Sequence, residues 1–256
     1  MYKQHPILTH HLASVCLTTL FALSASPVYS EEGAHWGYEG EVGPTHWGEL
    51  SPEWLMCGQG RNQSPIDIQG ALDADLAPVG WHYSEKTNDE IVNNGHTIQI
   101  SYKPDNWILA NGHDYQLRQF HFHSPSENHI AGREFPLEAH LVHTDAAGNI
   151  AVVAVMFEEG AANPLLEDAW QLMPEEPGTH TPLPARPSAA GLLPKERDYF
   201  RFNGSLTTPP CSEGVLWIVM KQPVTASGDQ IARFASVMGH PNNRPLQPIY
   251  SRAVLQ

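Results

Sequence analysis

The stretch Gln119-Phe120-His121-Phe122-His123, followed by Glu138-Ala139-His140, decides the fold and the chemistry of this chain. Side chains alternate between the two faces of a β-strand, so His121 and His123 point the same way. Three imidazoles leave one position of a tetrahedral ion open, which is typical of a catalytic zinc and not of a structural one. The sequence therefore predicts β-strands that carry a metal site made of His121, His123 and His140.

An isolated His-x-His pair in a β-rich chain with 15 histidines can equally be surface or core packing. Two neighbouring polar residues favour the interpretation of these histidines as metal ligands. Gln119 precedes His121 by two residues, and Glu138 precedes His140 by two, so each shares a strand face with its histidine. Metal-bound histidines need such a partner for the second ring nitrogen.

The N-terminal segment predicts export. Lys3, an apolar stretch around Leu12 to Leu23 and the small residues before Glu31 indicate a signal peptide over residues 1–30. A retained membrane anchor is the alternative, but the apolar run is interrupted by Thr18 and Thr19 and is too short to span a bilayer. The remaining 226 residues suit one domain. Loss of Lys3 takes the net charge from −14 to −15, which argues against nucleic acid and anionic membranes as partners.

The cysteines agree with a periplasmic or secreted protein. Of three cysteines, Cys16 lies in the predicted signal peptide, which leaves Cys57 and Cys211 as the one available pair. An oxidising compartment favours a disulfide between them, and two buried free thiols are the alternative.

Short runs of apolar and β-branched residues predict a mostly β fold. The expected strands are Pro65–Gln69, Ile91–Asn94, Thr97–Tyr102, Tyr115–His123, Leu137–His143, Ile150–Phe157 and Val215–Lys221. We expect one domain built on a large, mostly antiparallel, twisted central sheet with a few short peripheral helices.

Two segments predict helices. Asn163-Pro164 supplies an N-cap and a first-turn proline for Leu165–Met173, and Ser227 with Gln230 forms a capping box ahead of Ile231–Val237. The proline-rich segment Pro174–Pro194 reads as a long surface excursion, with an interdomain linker as the alternative.

Other residues suit proton handling beside a metal. Thr207 and Thr208 place two hydroxyls on a stiff turn, and Glu127 can accept the proton of a threonine hydroxyl. His96 follows a turn, and a histidine that titrates near neutrality suits proton export. His143 faces away from His140, which predicts a structural role. Four other histidines are expected at the surface: His113, His129, His180 and His240. His35 and His46 are expected in an N-terminal aromatic cluster, with assistance in proton transfer as the alternative role.

In these features the chain resembles an exported bacterial α-class carbonic anhydrase, from about His35 to Arg252. The matching motifs occur in the family order: His35-Trp36-Gly37-Tyr38, Gly43-Pro44-Thr45-His46-Trp47, Gln63-Ser64-Pro65-Ile66-Asp67-Ile68, Phe120-His121-Phe122-His123, Glu138 to His143, Ser205 to Pro210, and Asn242-Asn243-Arg244-Pro245. Residues 31–256 would then be one α-carbonic anhydrase domain.

The resemblance implies reversible hydration of CO2 by a zinc-bound hydroxide, with one Zn2+ per chain held by His121, His123 and His140. His96 would shuttle protons, Thr207 with Glu127 would orient the hydroxide, and Thr208 would contact bicarbonate. The implied CO2 pocket comprises Val142, Val152, Leu206, Val215 and Trp217. Tyr38, Asn94 and Gln99 would order the water chain, and Cys57 and Cys211 match the disulfide of exported members. Cis peptide bonds are expected before Pro65 and Pro210.

Two positions depart from the family pattern. Asn128 stands where histidine is usual and Phe202 where tyrosine is usual, so both lose a polar ring. We expect these changes to affect loop stability more than chemistry.

Two other functions compete with this interpretation. A zinc-free binding module of the same fold would not need the three histidines together with Glu127, Thr207 and His96. A hydrolase could use the same centre on esters, which the chemistry permits as a side activity. Bacterial relatives are often homodimers, but the sequence offers no exposed apolar stripe that would support one.

Overall fold

Runs of β-branched and aromatic residues form the strands of the computed structural model, which describes residue 1 and residues 34–84, 90–102, 104–183 and 188–256. Residues Ala34–Gln256 form one compact unit, and the predicted signal peptide lies outside the described residues. The strands are β1 Asp67–Ile68, β2 Gly80–His82, β3 Glu90–Asn93, β4 Ile98–Ser101, β5 Trp107–Ala110, β6 His113–His123, β7 His129–Ile130, β8 Leu137–Thr144, β9 Ile150–Glu159, β10 Thr179–Pro182, β11 Tyr199–Ser205, β12 Glu213–Met220 and β13 Val224–Ala226. The α-helices are α1 Trp47–Leu50, α2 Met56–Gln59, α3 Pro164–Trp170 and α4 Gly228–Met238, and short 3-10 turns cover Gly40–Val42, Pro52–Trp54 and Ala189–Leu192.

Within the described residues, the central sheet has 11 strands, of which eight follow the order β10-β3-β4-β6-β8-β9-β12-β11. Strand β5 pairs with both β6 and β2, and β13 pairs with β9. The pairings of β9 with β12 and with β13 are parallel, and the other pairings in this sheet are antiparallel. The sheet is therefore mixed and mostly antiparallel, as the sequence predicts. Strands β1 and β7 form a separate parallel pair.

The two faces of the central sheet have different partners. Phe120 and Phe122 on β6 enter the larger apolar core, where the ring of Phe122 meets Trp170 of α3 at 4.9 Å and Phe234 of α4 at 6.1 Å. Because side chains alternate along a strand, His121 and His123 emerge on the opposite face. The packing of α3 and α4 on one face of β6 thus leaves the opposite face available for the active site.

Both predicted helices are confirmed together with their caps. The Asn163 side chain accepts hydrogen bonds from the first turn of α3, and Ser227 and Gln230 form the reciprocal capping box of α4. The prediction for Pro174–Pro194 was incomplete, because β10 lies inside this segment and pairs with β3. Tertiary pairing overrides a proline-rich composition at this sheet edge, where a strand needs only one hydrogen-bonded side.

The disulfide between Cys57 and Cys211 is present, with both residues buried and 154 positions apart in sequence. It anchors α2 to the loop that follows β11, where the Cys211 N–H donates to the Thr208 carbonyl at 2.9 Å. The guanidinium of buried Arg244 donates to the Cys57 carbonyl at 2.8 Å. The peptide bonds before Pro65 and Pro210 are cis, as expected, and so is the one before Pro125.

Removal of this crosslink should destabilise the fold strongly, because it closes a very long loop. For the Cys57→Ser, Cys211→Ser double variant we expect the free energy of unfolding to fall by about 4 to 5 kcal/mol, measured by urea titration. The wild-type protein unfolded in the presence of a reductant is the matched control and should lose a similar amount. A loss below about 1 kcal/mol would contradict a major role of the crosslink in stability.

Candidate active site

The antiparallel register of β6 and β8 assembles the three histidines. His121 on β6 is directly paired with His140 on β8, and His123 lies two residues further on the same face of β6. One ring nitrogen from each of the three lies within 4.8 Å of the others. His123 and His140 are buried, whereas His121 is partly exposed to a cavity. The predicted metal-binding histidines are therefore brought together.

Each imidazole is oriented by an acceptor at its other ring nitrogen. His121 donates from Nδ1 to Gln119 Oε1 at 2.8 Å, and His140 donates from Nε2 to Glu138 Oε1 at 2.8 Å. His123 donates from Nδ1 to the backbone carbonyl of Asn242 at 2.7 Å. These bonds fix the tautomers, so the lone pairs lie on Nε2 of His121, Nε2 of His123 and Nδ1 of His140.

The surroundings keep all three imidazoles neutral, which is the form that binds a metal. Burial lowers the pKa of His121 and His140 well below the ordinary value, and charge repulsion from neighbouring histidines adds to the effect. Burial also lowers the pKa of His123, although the bond to Asn242 opposes that change. The ligand set is therefore deprotonated at neutral pH.

The donor set fits zinc. Among the described residues, the buried Nε2 of His123 has no hydrogen-bond partner, which is costly for a polar atom unless a ligand binds there. Neutral imidazoles with fixed tautomers are preferred ligands of this ion, and three of them leave a position for water or substrate. A closed structural site would require a fourth protein ligand beside these three, and within the described parts of the chain the clustered residues are these three histidines alone.

Glu138 links His140 to the loop after β6. Its carboxylate accepts from His140, from the backbone N–H groups of Glu127 and Asn128 at 2.7 and 2.9 Å, and from Asn128 Nδ2 at 2.8 Å. Asn128, one of the two departures from the family pattern, thus supports His140 through Glu138. The other departure, Phe202, stacks on Trp217 with ring centroids 5.9 Å apart, and Trp217 meets His140 edge-on at 4.9 Å. The two positions reach His140 through different neighbours, and their expected effect on loop stability stays a prediction.

Glu127 is fully enclosed and faces the metal-binding nitrogens of two histidines, with its Oε2 3.8 Å from His140 Nδ1. Its Oε2 is 3.5 Å from His123 Nε2, and its Oε1 accepts the backbone N–H of Arg244 at 2.9 Å. Burial raises the pKa of Glu127 to about 8, and a hydrogen bond from the Thr207 hydroxyl opposes this rise. This effect indicates that the Thr207 hydroxyl lies close to the Glu127 carboxylate, and the orienting role of the pair stays a prediction.

An apolar wall stands next to the three histidines. The five residues predicted for the CO2 pocket belong to one hydrophobic cluster: Val142, Val152, Leu206, Val215 and Trp217. Trp217 contacts the ring of His140, and its indole N–H is satisfied by the Ser205 carbonyl at 3.0 Å. The indole therefore presents no unpaired polar group to this wall.

A cavity of about 140 Å³ joins the metal ligands to the surface. Its lining includes the four residues predicted for water and proton handling, Tyr38, Asn94, His96 and Gln99. The other lining residues are Trp36, Thr97, Gln119, His121, His123 and Thr208. His96 stacks on Trp36 with ring centroids 3.7 Å apart. Asn94 uses its side-chain oxygen to accept the backbone N–H groups of His96 and Thr97, so it also shapes the turn that holds His96.

Sequence reasoning missed the roles of Asn242 and Arg244. The Asn242 carbonyl orients His123, and its side chain donates to the His96 and Phe122 carbonyls at 3.0 and 2.9 Å. Arg244 is 2% exposed and connects Cys57, Gln63 and Ser64 by hydrogen bonds. A backbone acceptor has no residue-type signature, although the motif Asn242 to Pro245 was itself recognised.

His143 lies on the opposite face of β8 from His140, as predicted. It is fully buried, and its Nε2 is 2.7 Å from the Tyr83 hydroxyl. Burial lowers the pKa of His143 to about 3, so the ring stays neutral within the core.

A three-histidine centre on a large mixed sheet, next to an apolar wall and a polar cavity, has the features of a catalytic zinc site with one open position. Residues 42–256 match the family model of eukaryotic-type carbonic anhydrases. The chain belongs to the α-carbonic anhydrase family, whose members use zinc and hydrate CO2.

Individual relatives support the family assignment over nearly the whole chain. A carbonic anhydrase of Pectobacterium carotovorum is 47% identical over 242 residues, which cover 94% of this chain and 97% of the relative. The structure is similar to that of the α-carbonic anhydrase from Thermovibrio ammonificans in complex with the inhibitor sulfanilamide, with 53% identity, a TM-score of 0.86 and coverage of 88% and 100% of the two chains. The Photobacterium profundum α-carbonic anhydrase gives 46% identity and a TM-score of 0.82, with coverage of 87% and 100%.

The partners of the ring nitrogens should control how tightly zinc is held. Glu138→Ala should weaken zinc binding about 10- to 100-fold at pH 7, because His140 loses the acceptor that fixes its tautomer. Glu138→Gln should weaken it less, since the amide oxygen can still accept from His140. Competition with a chromophoric chelator measures both. Equal zinc affinity of Glu138→Ala and wild type would show that Glu138 does not support the ligand.

Proposed function

We propose that this chain catalyses the reversible hydration of CO2 to bicarbonate and a proton, with His121, His123 and His140 as zinc ligands and His96 as the proton shuttle. The observation that carries the proposal is the convergence of three neutral imidazoles, each with its second nitrogen held, between an apolar wall and a polar cavity. When bound, zinc supplies a Lewis acid strong enough to ionise water near neutral pH, and its charge favours the ionised form of Glu127.

Thr207 and Glu127 act as an orienting pair in this proposal. Glu127 accepts a hydrogen bond from the Thr207 hydroxyl. The threonine oxygen therefore presents only its lone pairs to the reacting water. The nucleophilic oxygen must then donate its hydrogen to Thr207 and direct a lone pair at the substrate. Because Thr207 is buried and its loop is tied to Cys211, this geometry is set before CO2 arrives.

The apolar wall serves as the CO2 site. CO2 carries no net charge and forms weak hydrogen bonds, so side chains such as Val142 and Val215 can hold it while excluding competing water. Thr208 lines the neighbouring cavity and supplies a hydroxyl for the bicarbonate product. Bicarbonate is more polar than CO2 and is held less well by the apolar wall, which favours its release.

His96 carries the proton out. It lies in the cavity lining together with Tyr38 and Gln99, so ordered water can connect it to the metal ligands. Burial lowers the pKa of His96, and the charges of His35 and His240 lower it further. Hydration needs His96 in its neutral form, so the rise of kcat with pH that reports His96 should fall below the ordinary histidine range.

A direct assay tests the proposed activity. Stopped-flow CO2 hydration should give rapid turnover with one zinc per chain. The His121→Ala variant should lose activity because it loses zinc. The Thr207→Ala variant should retain zinc but show a kcat/KM about 100-fold lower. Sulfanilamide, named as the inhibitor of the Thermovibrio relative, should block the wild type. A zinc-loaded protein without hydration activity would contradict the proposal and favour a binding module. Ester hydrolysis in parallel would identify the side activity that the same centre permits.

We also propose that the chain is exported to the periplasm or the medium after removal of residues 1–30. The buried Cys57–Cys211 disulfide supports an oxidising compartment. None of the helices in the described part of the chain combines the length and apolar character needed to cross a bilayer. Expression of the full chain in a bacterial host, followed by fractionation and mass determination, should yield a product that begins at Glu31. An uncleaved product beginning at Met1 in the cytoplasm would overturn this proposal.

A further inference from the structure

We propose that His240 is a second proton-exit residue, which accepts the proton from His96 or directly from cavity water and releases it to buffer. The inference rests on the proposed role of His96 and extends the relay by one residue. Sequence reasoning placed His240 with the surface histidines, but the ring is partly buried against Tyr38.

The position of His240 is fixed by the end of α4. Gly239 ends that helix in the left-handed conformation, with φ of 73°, and its N–H closes the last turn. His240 follows directly, and two residues later the Asn242 side chain donates to the His96 carbonyl at 3.0 Å. The loop that carries His240 is therefore tied to the turn that carries His96.

Tyr38 lies beside both the cavity and His240. Its ring centroid is 5.9 Å from that of His240, and the same tyrosine lines the cavity together with His96. On the other side, His96 is stacked on Trp36 at 3.7 Å. Tyr38 is thus a shared neighbour of His240 and of the cavity that His96 lines.

The ring chemistry of His240 suits proton acceptance. Its Nδ1 is 2.9 Å from the Pro241 carbonyl, and because a carbonyl can only accept, Nδ1 carries the hydrogen. The lone pair is therefore on Nε2 and free for a proton delivered through solvent.

His96 and His240 are close enough to interact electrostatically. The charge of His240 lowers the pKa of His96, after the larger effect of burial and that of His35. The titratable groups that face His96 and His240 are thus His35, Tyr38 and each other. A proton on His96 is weakly held, so it passes through solvent to Nε2 of His240, His96 returns to neutral, and His240 then loses the proton to buffer.

The test separates proton export from the CO2 reaction. In dilute buffer kcat reports proton export, whereas kcat/KM reports the interconversion of CO2 and bicarbonate. We expect kcat to fall about tenfold in His96→Ala, because His240 still accepts protons from the cavity, and about 100-fold in His96→Ala, His240→Asn. In both variants kcat/KM should be unchanged, and a concentrated imidazole buffer should restore kcat.

Two histidine variants serve as controls. His35 acts on His96 more strongly than His240 does, but it is exposed, whereas His240 is partly buried against Tyr38. His35→Asn combined with His96→Ala should therefore match His96→Ala. His113→Asn should match the wild type, because His113 lies eight residues from His121 along β6, about 26 Å away.

A double variant of His96 and His240 with the same kcat as His96→Ala would overturn the second exit. An unaltered kcat in His96→Ala itself would instead overturn the proposed shuttle on which the inference rests. Unchanged kcat/KM and rescue by imidazole show in either case that the variants are folded.

Discussion

The antiparallel register between β6 and β8 is the constraint on which the active site depends. It pairs His121 with His140 directly, and with His123 two residues along it gathers three imidazoles on one face of the sheet. A slip of one residue would turn His140 into the apolar core and bring its neighbours to the site. Phe120, Phe122 and Leu141 prevent this slip, because each is fully buried on the opposite face. Core packing on one face therefore holds the metal geometry on the other.

A second set of contacts orients the three histidines so that they can bind one metal ion. The acceptors come from three parts of the chain: a side chain on the same strand for His121, a carboxylate on β8 for His140, and a backbone carbonyl after α4 for His123. They select which nitrogen faces the metal, and burial keeps the rings neutral. The same loop after α4 also reaches His96 through Asn242 and Glu127 through the Arg244 backbone. The loop after α4 thus contacts a metal-binding histidine, the proposed proton shuttle and the carboxylate of Glu127.

The sequence was sufficient for features that a local pattern encodes. The period of two in β6 and the caps of α3 and α4 were predicted and are present. The disulfide was also predicted, although its cysteines lie far apart in sequence, because they are the one pair left after the signal peptide. Several other features that depend on distant partners were missed. Strand β10 forms because β3 offers it an edge, and the role of Asn242 rests on a backbone carbonyl that any residue possesses. Short strands such as β5 and β13 likewise acquire their identity from β6 and β9.

The neighbours of His240 show the same limit at the site itself. Its residue type and spacing give no indication of Tyr38 or His96, which are about 200 and 144 positions away in sequence. Only the folded chain brings these rings together around the cavity mouth. Histidines outside a recognised motif therefore need to be judged from their neighbours in the structure.

The coordination of zinc in the loaded protein tests the central claim most directly. X-ray absorption at the zinc edge should give three imidazole nitrogens at about 2.0 to 2.1 Å and one oxygen, with nitrogen NMR placing the metal on Nε2 of His121 and His123 and on Nδ1 of His140. A fourth protein ligand, or metal on the opposite nitrogen of any of these rings, would contradict the account of how this fold builds an open catalytic centre.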